Sequence, residues 1–380
     1  MRFLAFFLAL LPLAASYAQP IPAPTAVPEI GARAWILMDY ATGQVLASHE
    51  ADTRLEPASL TKVMTTYLVA DALAQKTLSL QQPVTVSERA WRTQGSRSFV
   101  PVNKGVSVDE LFKGMVIQSG NDASVALAEA IGGSEDAFAA MMNRTAQRMG
   151  LKDTNFLNAS GYFEGPAPNH YSTARDLARL AAALMRDHPE THALHATREY
   201  TYNGIRQYNR NRLLWADPTV DGLKTGHSNA AGFCLIATAK RGPRRLISVV
   251  LGTASEEARA RDSLNLLNWG FTGFDAVKLY DKGQAISQLK VFKGAQNLVG
   301  AGFAEDFVVS VPRGMADKLS VQLVSRQPLI APVAAGAAVG TLKLSVGGQP
   351  WGEYPVVAQN AVPVAGFFGR LWDDLRLFFQ

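Results

Sequence analysis

The sequence Pro57-Ala58-Ser59-Leu60-Thr61-Lys62 opens a stretch of good helix formers that runs on to Leu73 without proline or glycine. Pro57 stands at the mouth of this stretch, where a proline costs little because the first N–H groups of a helix have no partner within it. We therefore expect Ser59 at or near a helix N-terminus. Ser59 and Lys62 are then three residues apart on one helix face, where their side chains can touch.

A serine hydroxyl is a weak nucleophile, and it becomes useful when an adjacent base takes its proton during attack on a carbonyl. Lysine acts as that base only when burial or a nearby positive charge lowers its pKa. A serine followed three residues later by lysine is expected about once by chance in a chain of this length. Two further triplets make the pattern specific, namely Ser119-Gly120-Asn121 at the end of a helix and Lys224-Thr225-Gly226 just before a strand.

The rest of the chain divides into regions with different predicted secondary structure. Hairpins are predicted around 39–43 and 240–245, and a capping box at Ser107 to Glu110 opens a helix that reaches about Gln118. Further helices are predicted at 122–131, 135–149, 173–186 and 258–268. From Asp275 to Val362, short alternating runs separated by glycine and proline indicate a small all-β domain.

The two ends carry apolar segments of different kinds. Residues 1–18 match a secretory signal peptide cut after Ala18, because the apolar run is shorter than the ~20 residues that a retained membrane span needs. At 363–380 the pattern predicts an amphipathic helix whose aromatic face lies in a membrane interface. Docking of that helix on the protein's own surface is the alternative. The apolar face comprises Phe367, Phe368, Leu371, Trp372, Leu375, Phe378 and Phe379.

Composition narrows the possible functions. The formal net charge is +5, and no block of lysine and arginine concentrates it, so nucleic-acid binding is not supported. Cys234 is the only cysteine and has no partner for an internal disulfide. His188, His192 and His195 have a spacing that zinc could use, but Pro189 interrupts the helix and no acidic partner is evident. We expect no metal and no cofactor.

At the three triplets the chain resembles the serine-active penicillin-binding proteins, specifically the low-molecular-mass D-alanyl-D-alanine carboxypeptidases of peptidase family S11. The likeness covers essentially the whole mature chain. It extends to the segments 39–43, 57–62, 118–123, 221–227 and 269–271.

The resemblance implies an α/β (α+β) catalytic domain of the serine β-lactamase/DD-peptidase type, with an antiparallel sheet and helices on both faces. It places this domain at 29–274, a small all-β sandwich at 275–362 and the anchoring helix at 363–380. It also implies removal of the terminal D-alanine from peptidoglycan pentapeptides, acylation by β-lactams and a place at the periplasmic face of the cytoplasmic membrane.

Carried over by position, Ser59 is the acylated nucleophile, Lys62 is its base and Ser119 relays a proton to the leaving D-alanine. Lys224 supplies the charge that lowers the pKa of Lys62, and Asn121 holds the substrate amide. The resemblance assigns the terminal carboxylate to Thr225, Arg259 and the supporting Arg210. The main-chain N–H groups of Ser59 and His227, which follows Gly226, form the oxyanion hole.

Two alternatives remain at this point. A β-lactamase shares the triplets, but no Glu-x-x-Leu-Asn segment lies between Ser119 and Lys224, and Gly120 stands where class A lactamases have aspartate. A wall-binding protein with a vestigial site is the non-catalytic alternative. Ser160 in Asn158-Ala159-Ser160-Gly161 stands where some family members carry a histidine, so the resemblance assigns no deacylation role to a histidine here.

Overall fold

The structure is a computed structural model that describes residues 26–367 and Asp373, and the chain forms two compact units. The mixed unit holds the described residues up to Tyr280 together with Asp306–Arg313, and the β unit holds Asp281–Glu305 and the described residues from Gly314 onward. The predicted signal peptide at 1–18 lies outside the described residues, as does most of the predicted helix at 363–380.

Helices make up much of the mixed unit. Short turns of 3₁₀ helix cover Ala58–Thr61 and Ala316–Lys318, the latter in the β unit, and a π-helical turn covers Gly114–Gln118. The α-helices are α1 (Lys62–Ala74), α2 (Glu88–Arg92), α3 (Val108–Lys113), α4 (Asn121–Gly132), α5 (Glu135–Arg148), α6 (Ala174–Asp187), α7 (Pro189–Leu194), α8 (Leu213–Ala216) and α9 (Glu256–Gly273).

Strands occur in both units. In chain order they are β1 (Ala34–Asp39), β2 (Val45–His49), β3 (Pro83–Thr85), β4 (Gly105–Ser107), β5 (Glu199–Tyr202), β6 (Ile205–Tyr208), β7 (Val220–Ser228), β8 (Gly232–Arg241), β9 (Arg244–Thr253), β10 (Phe274–Tyr280), β11 (Ala285–Phe292), β12 (Leu298–Gly302), β13 (Phe307–Pro312), β14 (Leu319–Ser325), β15 (Leu329–Ile330), β16 (Ala338–Val346) and β17 (Gln349–Ala358).

The mixed unit is built on an antiparallel sheet of order β2-β1-β9-β8-β7, in which β1, β9, β8 and β7 are mostly buried and the edge strand β2 is not. Because side chains alternate along a strand, Ile36 of β1 joins the core formed with α1, α5 and α6, whereas Leu37 packs on the other side, beside Gly270 of α9. The predicted antiparallel sheet with helices on both faces is confirmed. Strand β7 forms one edge of this sheet, so a cleft can open beside it.

The all-β domain predicted after the mixed unit is also confirmed. Its sheet has the order β14-β16-β17-β12-β11-β15, antiparallel except where the short β15 pairs with β11. Leu342, Leu344 and Val346, which alternate along β16, are buried. This alternation is what the sequence pattern predicted.

The domain boundary predicted between residues 274 and 275 lies at the start of β10. By its contacts, the mixed unit extends beyond this boundary. Strand β10 pairs with β13, which belongs to the same unit although 25 residues of the β unit separate them in sequence. Ser310 of β13 donates a hydrogen bond to Oδ2 of Asp39 at 2.6 Å, and both residues are buried. The mixed unit therefore includes a strand that returns to it from later in the chain.

Several local predictions can be compared with the structure. The capping box is present, with Ser107 Oγ accepting from the Glu110 N–H and Glu110 accepting from the Ser107 N–H. The triplet Lys224-Thr225-Gly226 lies within β7, not before a strand, because the pairing with β8 extends through Ser228. The β5–β6 hairpin was not predicted from the sequence.

Near the C-terminus, Phe367 is 67% exposed, and Asp373 is buried with its Oδ2 accepting from the Lys293 N–H at 2.6 Å. Among the described residues, no helix combines the length and apolar content needed to cross a bilayer.

Phe138 of α5 tests the main core of the mixed unit, because it is fully buried there. We expect Phe138→Ala to lower the free energy of unfolding by about 3–5 kcal/mol through lost burial and the cavity left behind. Leu80, which is 38% exposed, is the control, and Leu80→Ala changes stability by less than about 0.5 kcal/mol. Urea unfolding of both variants checks this, and equal midpoints would contradict the described core.

Candidate active site

Ser59 and Lys62 lie at the start of α1, as the sequence predicted. Ser59 is in the 3₁₀ turn that follows Pro57, and Lys62 is the first residue of α1. Lys62 Nζ donates to Ser59 Oγ at 3.0 Å, to Asn121 Oδ1 at 2.7 Å and to the Ser160 carbonyl at 2.8 Å. Three acceptors on three different segments therefore fix one amine beside the serine hydroxyl.

The Lys62 side chain is completely buried, and burial lowers its pKa to about 7 because a charged amine is costly away from water. The positive charge of Arg210 acts in the same direction, while the carboxylate of Asp122 opposes both. A substantial fraction of Lys62 is thus neutral near pH 7. Lys224 was predicted to supply the charge that lowers this pKa, whereas burial is the largest cause in the structure.

Ser119 and Asn121 flank the break between the π-helical turn and α4. Ser119 has φ of +70°, a conformation unusual for a residue with a β-carbon, and its buried Oγ has no hydrogen-bond partner among the described residues. Asn121 donates through Nδ2 to the Gln94 carbonyl at 2.6 Å and accepts from Lys62. Its amide is thereby held in one orientation.

Asp122 fixes the segment that covers this break. Its carboxylate is fully buried and accepts from the N–H groups of Ser98 at 2.8 Å and Phe99 at 2.9 Å. Gly120 packs directly under the same segment, because a β-carbon there would overlap Ser98 Oγ. The backbone around the triplet Ser119-Gly120-Asn121 is therefore held by contacts with residues more than 20 positions earlier in the sequence.

The edge strand β7 passes close to the turn that holds Ser59. A β-carbon at Gly226 would lie 2.9 Å from the Pro57 carbonyl oxygen and 3.3 Å from the backbone nitrogen of Leu60. Only glycine allows this approach without displacement. The absence of a side chain at Gly226 thus brings the main chain of Thr225 and His227 next to the nucleophile.

Three basic residues lie around β7. Lys224 is buried, donates to the Thr225 carbonyl at 3.1 Å and has a pKa held well below its usual value by burial and by the nearby Lys62. Arg259 of α9 is buried and donates to the Gly226 carbonyl at 3.1 Å. Arg210, which follows β6, donates to the Gln118 carbonyl at 3.3 Å.

These residues surround one cavity of about 530 Å³. Most of the predicted site residues line it, while Lys62 and Lys224 are buried and do not. The predicted residues on its walls are Ser59, Ser119, Asn121, Arg210, Thr225, Gly226, His227 and Arg259. The arrangement places a nucleophile, an amine with a lowered pKa and a cationic pocket together, which suits acyl transfer on a substrate with a carboxylate.

His170 was missed as a contributor to this site. Its Nδ1 accepts from the Leu157 N–H at 2.9 Å, so Nε2 carries the proton and donates to Thr61 Oγ1 at 2.8 Å. Burial lowers the pKa of His170 to about 4, which keeps the ring neutral. The histidine therefore ties the 157–161 segment, which carries the Ser160 carbonyl, to the turn containing Ser59. No sequence signal separated it from an ordinary loop histidine.

The three histidines considered for zinc make separate contacts. His188 hydrogen-bonds Asp71 at 2.9 Å, His192 contacts Thr238 at 3.4 Å, and His195 Nδ1 donates to the Leu223 carbonyl at 2.8 Å. Over residues 26–367, no group of three histidine, cysteine or acidic side chains is arranged to hold a metal ion.

Comparison with known proteins extends this picture. A family model described as D-alanyl-D-alanine carboxypeptidase matches residues 21–255, and one described as the C-terminal domain of penicillin-binding protein 5 matches residues 274–364. The D-alanyl-D-alanine carboxypeptidase DacC of Escherichia coli strain K12 is 42% identical over 99% of this chain and 94% of its own length.

Solved structures agree. The crystal structure of penicillin-binding protein 5 from Haemophilus influenzae superposes with a TM-score of 0.79 and 38% identity, over 88% of this chain and 98% of that one. The crystal structure of penicillin-binding protein 6B from Escherichia coli superposes with a TM-score of 0.71 and 35% identity, over 90% of this chain and 99% of that one. The two family matches together, and each of these similar proteins alone, cover both units, so the chain belongs to the serine-type D-alanyl-D-alanine carboxypeptidases of the penicillin-binding protein family.

Proposed function

We propose that Ser59 is the residue with which this carboxypeptidase attacks the last peptide bond of a peptidoglycan pentapeptide. The observation that supports this best is the 3.0 Å hydrogen bond between Ser59 Oγ and a buried amine, that of Lys62, whose pKa lies at about 7. A neutral amine at this distance accepts the hydroxyl proton as the new bond forms. Attack on the carbonyl of the penultimate D-alanine gives the acyl-enzyme.

The proton then has to reach the leaving D-alanine. Ser119 is suited to this relay because its buried Oγ lines the cavity and makes no hydrogen bond among the described residues. Lys224 of β7 lies close enough to Lys62 for the charge of Lys62 to lower its pKa, and we assign Lys224 a supporting role in this proton transfer. Asn121 is held by Lys62 and by the Gln94 carbonyl, so its amide can orient the backbone of the peptide.

The cationic residues account for the choice of substrate. Arg259 and Arg210 line the cavity with Thr225, and a free terminal carboxylate is the anion that such a pocket selects. The main-chain N–H groups of Ser59 and His227 are assigned to the oxyanion hole, where losing one donor costs about 2.7–4 kcal/mol. The close approach of Gly226 to the turn supports this assignment.

Hydrolysis of the ester completes the cycle, with water attacking the acyl carbon and Ser59 leaving with its proton restored. The Ser160 carbonyl binds Lys62 Nζ, so the 158–161 segment helps to position this amine for the step. A β-lactam enters the same sequence, because its strained amide acylates Ser59. A class A lactamase would place aspartate at position 120, and Ser98 leaves no room there for a side chain.

We further propose that the enzyme is exported by its signal peptide and anchored at the periplasmic face of the inner membrane, where it trims peptidoglycan and contributes to cell shape. The domain limits proposed for this arrangement are 29–274, 275–362 and 363–380. One contact and one exposed side chain support the anchor. Asp373, from the polar face of the predicted helix, bonds the Lys293 backbone, and Phe367, from the apolar face, is exposed.

Replacing the nucleophile tests the central proposal. Incubation with a fluorescent penicillin labels the wild type, and a peptide ending in D-Ala-D-Ala yields free D-alanine. We expect Ser59→Ala to abolish both signals while keeping the wild-type thermal unfolding midpoint, because Ser59 is only partly buried. Labelling or D-alanine release that persists in the variant would refute the assignment.

The pKa of Lys62 predicts a pH dependence for acylation. Because the folded protein holds this pKa at about 7, the reactive neutral amine gains population as pH rises, and the acylation rate increases to a plateau with its midpoint near that value. Stopped-flow labelling with the fluorescent penicillin measures acylation alone. A rate that stays constant from about pH 6 to about pH 8 is incompatible with Lys62 as the base.

Deletion of residues 366–380 tests the anchor. Fractionation of cells is expected to find the wild type with membranes and the truncated chain in the soluble periplasmic fraction, because the aromatic face supplies the membrane affinity. D-alanine release per molecule should stay unchanged and serves as the folding control. Equal partitioning of the two proteins would exclude the helix as the anchor.

A further inference from the structure

The backbone of β7 just before Lys224 is held by two side chains from elsewhere in the mixed unit. Asn211 Nδ2 donates to the Gly222 carbonyl at 2.9 Å. His195 Nδ1 donates to the next carbonyl along the strand, that of Leu223, at 2.8 Å. Both side chains are buried, and the mechanism described above uses neither. Because β7 forms one edge of the described sheet, strand pairing holds it on one side, and these two donors supply contacts from other elements.

His195 directly follows α7, and its ring is fully buried. Burial lowers the pKa of His195 to about 3, so the ring is neutral near pH 7. Since the Leu223 carbonyl can only accept a hydrogen bond, the proton of the neutral ring lies on Nδ1. His195 therefore donates to β7 without adding a charge beside Lys224.

Asn211 is fixed at both ends of its side-chain amide. Its Oδ1 accepts from the Leu213 N–H of α8 at 3.1 Å, while its Nδ2 donates to Gly222. An amide with partners on both its oxygen and its nitrogen has one orientation. The Asn211 N–H donates to Asn209 Oδ1 at 2.9 Å, and Asn209 Nδ2 donates to the His195 carbonyl at 3.2 Å. Asn209 thus connects the two donors, and we call His195, Asn209 and Asn211 the β7 support.

The helix α7 packs directly on β7 at Gly222. A β-carbon at this position would lie 3.3 Å from His192 Nε2 and 3.6 Å from the β-carbon of His195. It would also lie 3.1 Å from Thr238 Oγ1 of β8, which is closer than ordinary van der Waals contact. The absence of a side chain at Gly222 therefore lets the helix lie close enough for the His195 ring to reach the Leu223 carbonyl.

The β7 support also fixes the segment that carries Arg210. This arginine stands between Asn209 and Asn211 in the sequence, and it lines the catalytic cavity together with Thr225 of β7. One connected set of hydrogen bonds therefore holds both Arg210 and Thr225, the residues assigned to the substrate carboxylate. A displacement of about 1 Å that originates far from the reacting atoms can lower a rate by about 100-fold. The separation of these two residues thus depends on side chains outside the cavity lining.

We propose that His195 and Asn211 are positioning residues, which hold β7 and the Arg210 segment at the separation that the terminal carboxylate of the substrate requires. They act through Thr225 and Arg210. Loss of either donor leaves a buried carbonyl of β7 without its partner, and the strand moves until that carbonyl is paired again. This inference rests on the proposed function, in which Ser59 is acylated and Thr225 and Arg210 bind the carboxylate.

Two thioesters of one N-acetylated peptide that ends in D-alanine test this proposal. One releases thioglycolate, which carries the terminal carboxylate, and the other releases thioglycolamide, which lacks it. A thiolate leaves without a proton, so the ratio of the two kcat/KM values reports on the carboxylate contacts and not on the proton relay. His195→Phe fills the space of the ring without a donor, and Asn211→Leu removes the amide. We expect both variants to lower kcat/KM about tenfold or more for the thioglycolate ester, and less than about threefold for the other.

The neighbouring positions offer a rescue and a matched control. In asparagine, as in histidine, the donor nitrogen is bonded to Cγ, so His195→Asn should keep the wild-type ratio within about twofold. His188 is also a buried histidine, but it hydrogen-bonds Asp71 of α1 at 2.9 Å. His188→Phe should therefore lower the thermal unfolding midpoint and leave the ratio unchanged. Labelling to completion with the fluorescent penicillin counts the folded sites in every variant.

The possible failures of the two proposals are distinguishable. A wild-type ratio in both His195→Phe and Asn211→Leu, or an equal loss of kcat/KM for the two thioesters, would overturn the positioning proposal alone. A wild type that hydrolyses neither thioester, or both equally well, would overturn the proposed function from which the inference follows.

Discussion

The buried amine of Lys62 is the constraint around which the site is organised. It contacts Ser59 Oγ, Asn121 Oδ1 and the Ser160 carbonyl, each on a different part of the chain. Three acceptors satisfy the three donors of an ammonium, while full burial penalises the same charge. The opposing effects leave the pKa at about 7, so the group can both hold the site together and accept a proton.

Accurate placement of these acceptors depends on contacts made away from the reacting atoms. Asp122 holds the segment over Asn121, His170 ties Leu157 to Thr61, and the missing side chain at Gly226 admits the edge strand. Each contact joins residues far apart in sequence and involves a buried group. A rigid support of this kind keeps a nucleophile and its base in register without spending binding energy on ordering them in each cycle.

The sequence allowed prediction of features with local causes. Three such features act within a few residues: the proline at the start of α1, the capping box at Ser107 and the strand alternation in β16. These elements were found as predicted. The conformation of Ser119, the contacts of His170 and the return of β13 to the mixed unit depend on partners distant in the chain. Family resemblance named the site residues, yet only the fold shows that burial dominates the electrostatics of Lys62.

The return of β13 has a consequence for how this protein can be dissected. Among the described residues, the chain leaves the mixed unit after Tyr280, re-enters it at Asp306 and leaves again after Arg313, so the backbone there crosses three times between the two units. Dividing the chain at any one of these points puts two paired strands of the same unit on different fragments. Truncation after Tyr280 strips β13 from β10 and deprives buried Asp39 of the Ser310 hydroxyl. The two units are thus distinguished by their contacts, but neither corresponds to one continuous segment of the sequence.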